Sequence, residues 1–514
     1  MTGSPGRGPN RRALTALIGL LLLATGVRLA GIAKEPFWFD EVCSFDMSSG
    51  RLARLLEMSA GDSSPPLYMV GLAGWRCILG DSETALRGFS VAFSLAGLVG
   101  AFLLARDLGG GWRAGLIAAG LVAVNPVDIY FAQEARMYAH VAAALIFGSW
   151  FLWRWVTSVR AGRSRVVQAA WAFAYVGAAT AAMYTHYLAA LVVVVQGVFA
   201  LTVFVRERQW RSAATLAAGA AVSTASFVPW LLFVLRTRDG LYYVDALRWM
   251  RPPAVWDATG RLLHELVWGA GSTWGRPGTV QAVLSAVAAG LLVAAIGWIL
   301  AREGRRGRPP AQADPRLRHR ALAYSGSLVA GPAVLAFLLS HTYHPLFYRP
   351  RFAMLVVLPF LVLVAIAVDA LPAKSLGTAA LAVLGGLMIA GSVLQFQAHT
   401  KTGMREFAAA WQRLGPPAFV VFVPGYTARV ASYYLRQPIR SASRREIEGA
   451  LSGGRTVEIW VCTDRNPVVG LTDSQKQMLA WLRGLGTEAP LGKLDAYDVV
   501  RIVATPRSAP ASGI

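Results

Sequence analysis

Two adjacent carboxylates, Asp40 and Glu41, stand in the stretch KEPFWFDEVCSFDMS, shortly after a long apolar run. The aromatic residues around them are typical of a membrane interface, where an ionisable group is costly unless it is paired or used. A carboxylate in such a place can act as a general base that removes the proton of an attacking hydroxyl group. Taken by themselves, the two residues fit a solvated loop acid equally well.

Further ionisable and aromatic residues gather where later apolar runs meet. The stretch NPVDIYFAQEARMYAH packs Glu134, Arg136 and Tyr138 into a turn between two apolar segments. If the next helix begins within this turn, Glu134 and Tyr138 share one helix face at i, i+4 spacing. A simple ion pair between Glu134 and a nearby arginine is the alternative interpretation.

Two more boundaries carry histidine, tyrosine and arginine. His186 lies in MYTHYLAA, a position that suits an aromatic belt at the interface as well as a site. In SHTYHPLFYRPRFAM, Tyr348, Arg349 and Arg351 precede a strongly apolar run. Arginine forms bidentate hydrogen bonds to phosphate oxygens, so Arg349 or Arg351 can hold a phosphate and stabilise it as a leaving group. The alternative is an arginine that merely extends to the interface.

The composition places these residues in a membrane protein. Of the 514 residues, 55% are hydrophobic and only 15% are charged, which leaves too few polar residues for an ordinary soluble enzyme of this size. A helix needs about 20 apolar residues to cross the bilayer, and runs of that length predict about eleven transmembrane helices. They fall near residues 13–31, 83–105, 114–131, 138–156, 167–184, 187–205, 212–235, 278–301, 321–340, 352–370 and 376–396.

Basic residues orient these helices, because Lys and Arg in short loops stay on the cytoplasmic side. Arginines cluster before the first run and in alternate loops, and the loop at 302–320 is the most basic. The N-terminus is therefore predicted to be cytoplasmic, and the candidate residues face the other side of the cell membrane. Asp40 and Glu41 lie in a long first outer loop at 32–82. Topology also explains the net charge of +22, so membrane lipids are predicted partners and nucleic acid is not.

From residue 397 the apolar runs shorten to strand length, as in PAFVVFVP, TVEIWVC and AYDVVRIVA, with the helix-like stretches REFAAAWQRL and SQKQMLAWLRGL between them. This pattern predicts a small α/β domain at 397–505, following a transmembrane domain at 1–396. An odd number of spans places the α/β domain outside the cytoplasm. The tail at 506–514 has the composition of a disordered segment.

Several other kinds of site are not indicated. The sequence has no GxGxxG or GxxxxGK[ST] loop between a strand and a helix, no HExxH motif and no paired CxxC motif. Its three cysteines, Cys43, Cys77 and Cys462, are too few and too scattered for a disulfide framework, although a Cys43–Cys77 bridge stays open. The outer carboxylates and histidines leave a divalent metal ion open as a cofactor, but no spacing requires one.

The order of these motifs resembles a known family. The pair DE after the first helix, then PPLY, GDSETALRGFS, QEARMYA, THY and a late aromatic-arginine stretch are similar to the family 39 membrane glycosyltransferases. Within that family they resemble the bacterial branch related to protein O-mannosyltransferases and to the lipid A aminoarabinose transferase. The resemblance covers most of 35–190, is weaker around 341–360 and hardly extends to the C-terminal domain. Relatives often have His before PPLY, where this chain has Ser64, so no acceptor or metal role is assigned to that position.

The resemblance implies a C-type glycosyltransferase fold, a polyprenyl-phosphate sugar donor and inversion at the anomeric carbon. It implies that Asp40 is the base, with Glu41 beside it. Residues implied to line the cavity or bind the donor phosphate are Glu134, Arg136, Tyr138 and Arg351.

The sequence therefore predicts a mainly α, polytopic membrane glycosyltransferase that passes a hexose or pentose to an extracytoplasmic lipid, glycan or protein. His186, Tyr348 and Arg349 complete the predicted substrate-binding set. A lipid or sugar transporter is one rival, although its ionisable residues would lie near the bilayer midplane, often on broken helices in two related halves. A non-catalytic scaffold or sensor that binds a partner through its α/β domain is the other.

Overall fold

The computed structural model divides into two compact units. The membrane unit comprises Met1–Ile32 and Met47–Gln397, and the α/β unit comprises Ala33–Asp46 and Ala398–Ile514. The structure describes residues 11–62, 64–109, 111–237, 252–269, 315–343, 349–371, 373–397, 404–464, 471–494 and 497–505, together with residues 279, 281, 283, 290 and 346. The sequence placed the boundary at 396/397, whereas the α/β unit also takes in the segment around Asp40 and Glu41.

Helices account for nearly all of the membrane unit's described residues. In chain order the first four helices are α1 (Arg11–Leu29), α2 (Phe39–Met47), α3 (Leu52–Ala60) and α4 (Leu67–Leu79), and all of α2 except Met47 belongs to the α/β unit. The next seven are α5 (Glu83–Gly109), α6 (Trp112–Val124), α7 (Pro126–Ala132), α8 (Tyr138–Arg160), α9 (Arg165–Thr185), α10 (Ala189–Arg206) and α11 (Trp210–Arg236). A π-helical turn at Asp257–Arg261 leads into α12 (Leu262–Trp268), and α13 (Pro315–Thr342), α14 (Arg349–Asp369) and α15 (Lys374–Gln397) follow.

Nine helices within the described residues are long and apolar enough to cross a membrane, and the bent pair α6–α7 raises the number to ten. These ten correspond to ten of the eleven predicted spans. The remaining predicted span, at 278–301, lies almost entirely outside the described residues. The chain is thus a multi-pass membrane protein, and the predicted mainly α fold with a small α/β domain is confirmed.

Helix α14 occupies the centre of the membrane unit. Its apolar window is 94% buried, against 11% for α11, and it packs against α5, α6, α8 and α13. A helix that is apolar on every side is expected to be enclosed by other helices. Large apolar side chains on the outer helices are exposed instead, as at Leu22 in α1 and Phe173 in α9, which suits contact with lipid tails.

The predicted span at 114–131 is broken, because α6 and α7 meet at an angle of 60°. Pro126 has no backbone N–H to donate to the carbonyl of Val122, so the helix hydrogen-bond ladder stops there. Asn125 caps the new helix, its side chain accepting the N–H of Asp128 at 3.1 Å. The break leaves carbonyl groups at the end of α6 without their usual helical donors.

Arg28, in the last turn of α1, supplies the missing donors. Its Nη2 donates to the carbonyl of Val122 at 3.0 Å and its Nη1 to that of Ala123 at 3.3 Å. The carbonyl of the next residue, Val124, accepts from Ser392 Oγ of α15 at 3.2 Å. Within a bilayer no water is at hand for these groups, so protein donors must satisfy them.

The charge of Arg28 is neutralised by Asp128 of α7. Arg28 Nη2 lies 2.5 Å from Asp128 Oδ2, and the two side chains are 0% and 1% exposed. Ser94 of α5 joins them, accepting from Arg28 Nε at 2.6 Å and donating to Asp128 Oδ2 at 2.5 Å. This buried triad fastens α1, α5 and α7 to one another beside the break in the third predicted span.

The α/β unit contains a four-stranded sheet with the order β1 (Phe419–Val423), β2 (Val457–Asp464), β4 (Tyr497–Ala504) and β3 (Gly486–Leu494). Strands β1 and β2 are parallel, and the other two pairings are antiparallel. Its described helices are α16 (Met404–Leu414), α17 (Ala428–Leu435), α18 (Arg444–Ser452) and α19 (Asp473–Arg483).

Alternation along the strands decides which helices cover which face of the sheet. Val421 and Ile459 pack with Ile447 of α18 and Leu482 of α19 on one face. On the opposite face, Trp460 lies edge-on to Phe407 and Trp411 of α16, and Phe422 packs against Phe407 as well. The sheet is therefore buried on both sides, as expected for its apolar strands.

Three of the four strands follow the predicted stretches, and β3 was missed. This strand lies at the edge, contains Pro490 and Gly492, and shifts register between them. Pro and Gly are tolerated at an edge, where one side of the strand needs no partner. Its sequence consequently lacks the β-branched pattern on which strand prediction depends.

We expect Asp128→Asn to destabilise the membrane unit by about 3–5 kcal/mol, because it leaves the buried Arg28 guanidinium without its counter-ion. Thermal unfolding of the purified protein in lipid nanodiscs would measure the loss. Asp81→Asn is the matched control: Asp81 pairs with Arg76 but is 62% exposed, so a change of no more than about 1 kcal/mol is expected. Equal losses in both variants would contradict a structural role for the triad.

Candidate functional site

The turn between α7 and α8 presents the motif QEARMY. Gln133 fixes its start, since its Nε2 donates to the carbonyls of Arg28 at 3.0 Å and Ala30 at 2.8 Å. The backbone N–H of Arg136 donates to the carbonyl of Glu134 at 2.8 Å, which closes a tight turn. Helix α8 begins only at Tyr138, so Glu134 precedes it and does not share a helix face with Tyr138. Glu134 and Arg136 are buried, at 1% and 2% exposure.

Arg136 has an acidic neighbour from a distant loop. Its Nη2 lies 3.6 Å from Asp62 Oδ2, in the turn after α3. Ser64 Oγ donates to the same carboxylate oxygen at 2.9 Å, and Ser90 Oγ donates to the Arg136 carbonyl at 3.2 Å. The stretch ahead of the PPLY motif therefore contributes charge to this place through Asp62, which was not among the predicted site residues.

Tyr138 connects the turn to two other predicted residues. Its ring centroid lies 6.2 Å from that of His186, and the guanidinium carbon of Arg351 lies 5.9 Å from the same ring. The latter separation is within the range of a cation–π interaction. Arg136, Tyr138, His186 and Arg351, which are far apart in sequence, thus form one cluster in the membrane unit. We call these four residues with Asp62 the arginine–histidine cluster.

His186 is the neutral member of this cluster. Burial, followed by the positive charges of Arg351 and Arg136, lowers the pKa of the His186 imidazole to about 4, and only Asp62 opposes the shift. His186 Nδ1 accepts the backbone N–H of Leu188 at 3.1 Å. In the neutral ring the proton therefore resides on Nε2, which is the nitrogen that can donate.

The carboxylate pair lies in the α/β unit, in the first turn of α2. Negative side chains are favourable there, because the backbone N–H groups of a helix N-terminus are not paired within the helix. Glu41 is fully buried and Asp40 half-buried. Ser44 Oγ donates to the carbonyl of Asp40 at 3.2 Å, one turn further along.

Some predicted residues have no described side chain. Tyr348 lies outside the described residues, and Arg349 begins α14 without a described side chain. Cys43, Cys77 and Cys462 form no disulfide bond, so the bridge left open between the first two is absent. Across the described ranges, no group of three or more His, Cys, Asp and Glu side chains is arranged to hold a metal ion.

Two buried features had visible signals in the sequence. A charged residue inside an apolar run is expensive and so marks a site, and Arg28 and Asp128 both satisfy that description. Asp62 stands close to the Pro65-Pro66 pair, in the same predicted loop at 32–82 as Asp40. What the sequence did not contain was the identity of their partners.

Comparisons with known proteins address the fold. No protein-family model matches the chain, and no curated protein matches it in sequence. Among solved structures, ArnT from Cupriavidus metallidurans bound to undecaprenyl phosphate is similar with a TM-score of 0.60 at 14% identity, over 96% of this chain and 99% of that one.

Two structures of an archaeal enzyme are similar as well. The oligosaccharyltransferase AglB from Archaeoglobus fulgidus, in complex with an inhibitory peptide and a dolichol-phosphate, gives a TM-score of 0.50 at 11% identity, over 97% of this chain and 75% of that one. The Archaeoglobus fulgidus oligosaccharyltransferase tethered to an acceptor peptide gives 0.52 at 10% identity, over 89% and 69%. Membership of family 39 stays a prediction, but these likenesses confirm the predicted fold. The chain has the C-type glycosyltransferase fold.

Proposed function

We propose that this protein is a membrane glycosyltransferase that moves a sugar from a polyprenyl-phosphate-linked donor to an acceptor outside the cytoplasm. The observation that carries the proposal is the arginine–histidine cluster, which brings two arginines and a neutral histidine together. Such a set supplies positive charge and hydrogen-bond donors, as a phosphate group requires. Structures of the same fold contain undecaprenyl phosphate or a dolichol-phosphate, which supports a lipid phosphate as the ligand.

The proposed reaction is a single displacement at the anomeric carbon. The acceptor oxygen forms the new bond to that carbon while the bond from carbon to the phosphate oxygen breaks, and the polyprenyl phosphate leaves with the electron pair. Asp40 takes the acceptor proton as general base. Attack opposite the leaving group inverts the anomeric centre.

The cluster would stabilise the leaving phosphate as its charge grows. Arg351 and Arg136 provide fixed positive charge, and fixed donors of this kind need no reorganisation during the reaction. His186 would add the Nε2–H as a neutral donor. Glu134, together with Tyr348 and Arg349, remains a proposed substrate contact.

A transporter is the second candidate, because one observation favours it. The membrane unit contains a broken helix, α6–α7, with an ion pair of Arg28 and Asp128 beside the break, and broken helices with intramembrane charge are typical of transporters. In this chain, however, the N–H groups of Arg28 donate hydrogen bonds to the last carbonyl groups of α6, to Ser94 and to Asp128. The pair thus has a sufficient structural role without a transported ligand.

We expect Asp40→Asn to reduce sugar transfer about 100-fold or more, and Arg351→Ala by a similar factor, since each removes one proposed transition-state interaction. The assay supplies synthetic undecaprenyl-phosphate hexoses and pentoses, with an extract of envelope lipids and glycans as acceptor, to protein in proteoliposomes and measures released undecaprenyl phosphate. Asp473→Asn and Arg163→Ala are matched exposed controls that should retain wild-type rates.

Envelope glycans and lipids compared by mass spectrometry with and without the protein would identify the sugar and the acceptor.

In the proteoliposome assay, wild-type rates in both Asp40→Asn and Arg351→Ala would contradict the proposed roles. Movement of intact donor across the bilayer without release of undecaprenyl phosphate would establish the transporter instead.

The buried neutral His186 predicts a pH-dependent stability. Because its pKa falls from 6.5 to about 4 on folding, the unfolded chain binds a proton that the folded protein does not between these two pH values. Stability is therefore lost as pH falls from about 6.5 to 4, by roughly 3 kcal/mol from this group, and not further below. His186→Gln should flatten that part of the profile, measured as the difference in melting temperature between variant and wild type across pH 4–8. Parallel profiles would contradict a neutral His186.

A further inference from the structure

The segment that carries the carboxylate pair is held by the far end of the chain. Residues Ala33–Asp46 form one compact unit with the residues from Ala398 onward. The hydrogen bond between Phe37 and Tyr434 spans 397 positions of sequence. No charge or hydropathy pattern in the sequence indicates that these two distant parts of the chain associate.

Arg405 of α16 binds the backbone just before α2. Its Nη2 donates to the carbonyls of Ala33 at 2.9 Å and Glu35 at 3.3 Å, and its Nη1 donates to that of Lys34 at 3.2 Å. These three carbonyls belong to a stretch without regular secondary structure. A guanidinium has several donors in a fixed plane, so a single side chain can define the path of all three residues.

Helix α17 and the turn before it contact the same segment closer to Asp40 and Glu41. The hydroxyl oxygen of Tyr434 accepts the backbone N–H of Phe37 at 2.5 Å. The ring of Phe37 lies 5.4 Å from that of Tyr433, and Phe39 packs 4.8 Å from Tyr426 in the 3₁₀ turn before α17. Phe39 immediately precedes Asp40, so the aromatic contacts reach the residue next to the proposed base.

A second set of contacts lies beyond the carboxylates. Arg429 Nε is 2.5 Å from Asp46 Oδ2, and Phe45 packs edge-on against Tyr433 at 4.9 Å. Asp40 and Glu41 are thus flanked on both sides by contacts to α16 and α17. We call the contacts made by Arg405, Tyr426, Arg429, Tyr433 and Tyr434 the clasp.

The helices that make the clasp are packed against the sheet of the α/β unit and against each other. Ser432 Oγ of α17 accepts the N–H of Ile439 at 2.9 Å and donates to its carbonyl at 3.1 Å, which ties the helix to the chain that follows it. Helix α16 packs on α17, and its Phe407 and Trp411 cover the sheet face formed by Phe422 and Trp460. Contacts from such a scaffold fix a segment more firmly than contacts from a loop.

We propose that the α/β unit is a positioning domain for the proposed reaction, which holds the Asp40–Glu41 segment in place through the clasp. Arg405 and Tyr434 are positioning residues, since they touch the backbone around the carboxylates and no reacting group. A short segment without such support would lose conformational entropy each time it adopted the reactive geometry. The inference rests on the proposed function only where it concerns the turnover rate.

Hydrogen–deuterium exchange of the full-length protein in nanodiscs tests the hold directly. We expect Arg405→Ala to speed exchange of the amides in residues 33–46 by roughly tenfold or more, because it removes three charge-assisted hydrogen bonds. Tyr434→Phe keeps the ring but loses the acceptor, so it should raise the exchange of the Phe37 amide in particular. Unchanged exchange across residues 33–46 in both variants would overturn the proposal.

Arg483→Ala is the matched control, since Arg483 pairs with Glu488 elsewhere in the same unit and is exposed. It should leave residues 33–46 unaffected. Unaltered exchange in β2 and β4 shows that each variant remains folded. If Arg405→Ala also loosens β2 and β4, the decision falls to Tyr434→Phe, whose single lost hydrogen bond leaves the packing of α17 in place.

Turnover supplies the second measurement. We expect Arg405→Ala and Tyr434→Phe to lower kcat several-fold, by roughly the factor for one to two hydrogen bonds, with the KM for the donor nearly unchanged. Arg405→Lys should restore part of the rate, because lysine keeps the charge. Faster exchange with an unchanged kcat would overturn the positioning role. Faster exchange in a protein with no transfer activity at all would instead count against the proposed function, while leaving the hold on residues 33–46 established.

Discussion

The carbonyl groups left open where α6 breaks at Pro126 are the constraint on which the membrane unit depends. In the hydrocarbon core of a bilayer no water molecules are at hand to donate hydrogen bonds to these carbonyl groups, so the donors must come from the protein. Arg28 provides them, and its buried charge in turn requires Asp128 and Ser94. One proline thus accounts for the joining of α1, α5 and α7, and the bend it creates directs the chain into the turn that contains Glu134 and Arg136.

Beyond that turn, charge balance determines what the cluster can do. Arg136 pairs with Asp62, and His186 stays neutral because burial and the charges of Arg136 and Arg351 oppose its protonation. A neutral imidazole can donate through Nε2 without adding a further charge to a crowded site. The cluster therefore brings two guanidinium groups and a neutral donor together, which are groups that can bind a phosphate.

Much of the architecture followed from local pattern, because a membrane helix is specified by the length of an apolar run and a buried strand by alternation. Ten of the predicted spans correspond to helices, and three strands match the predicted stretches. The two elements that the sequence did not predict correctly, strand β3 and the bend in the third span, also have local causes. Strand β3 is interrupted by Pro490 and Gly492, and the span at 114–131 bends because Asn125 and Pro126 favour a new helix start.

The sequence by itself determined which residues are candidates for the chemistry: the acids Asp40 and Glu41, the turn at Glu134–Tyr138, His186 and Arg351 were all visible as polar groups at the ends of apolar runs. Burial is costly for such groups, so their presence there is informative without any structure. Only the tertiary structure determined which distant residues these side chains and this backbone contact. Asp62 beside Arg136, and Tyr434 on the backbone of Phe37, are pairings across long stretches of chain. Helix and strand periodicity report which face of an element is apolar, and they contain no information on which distant element covers it.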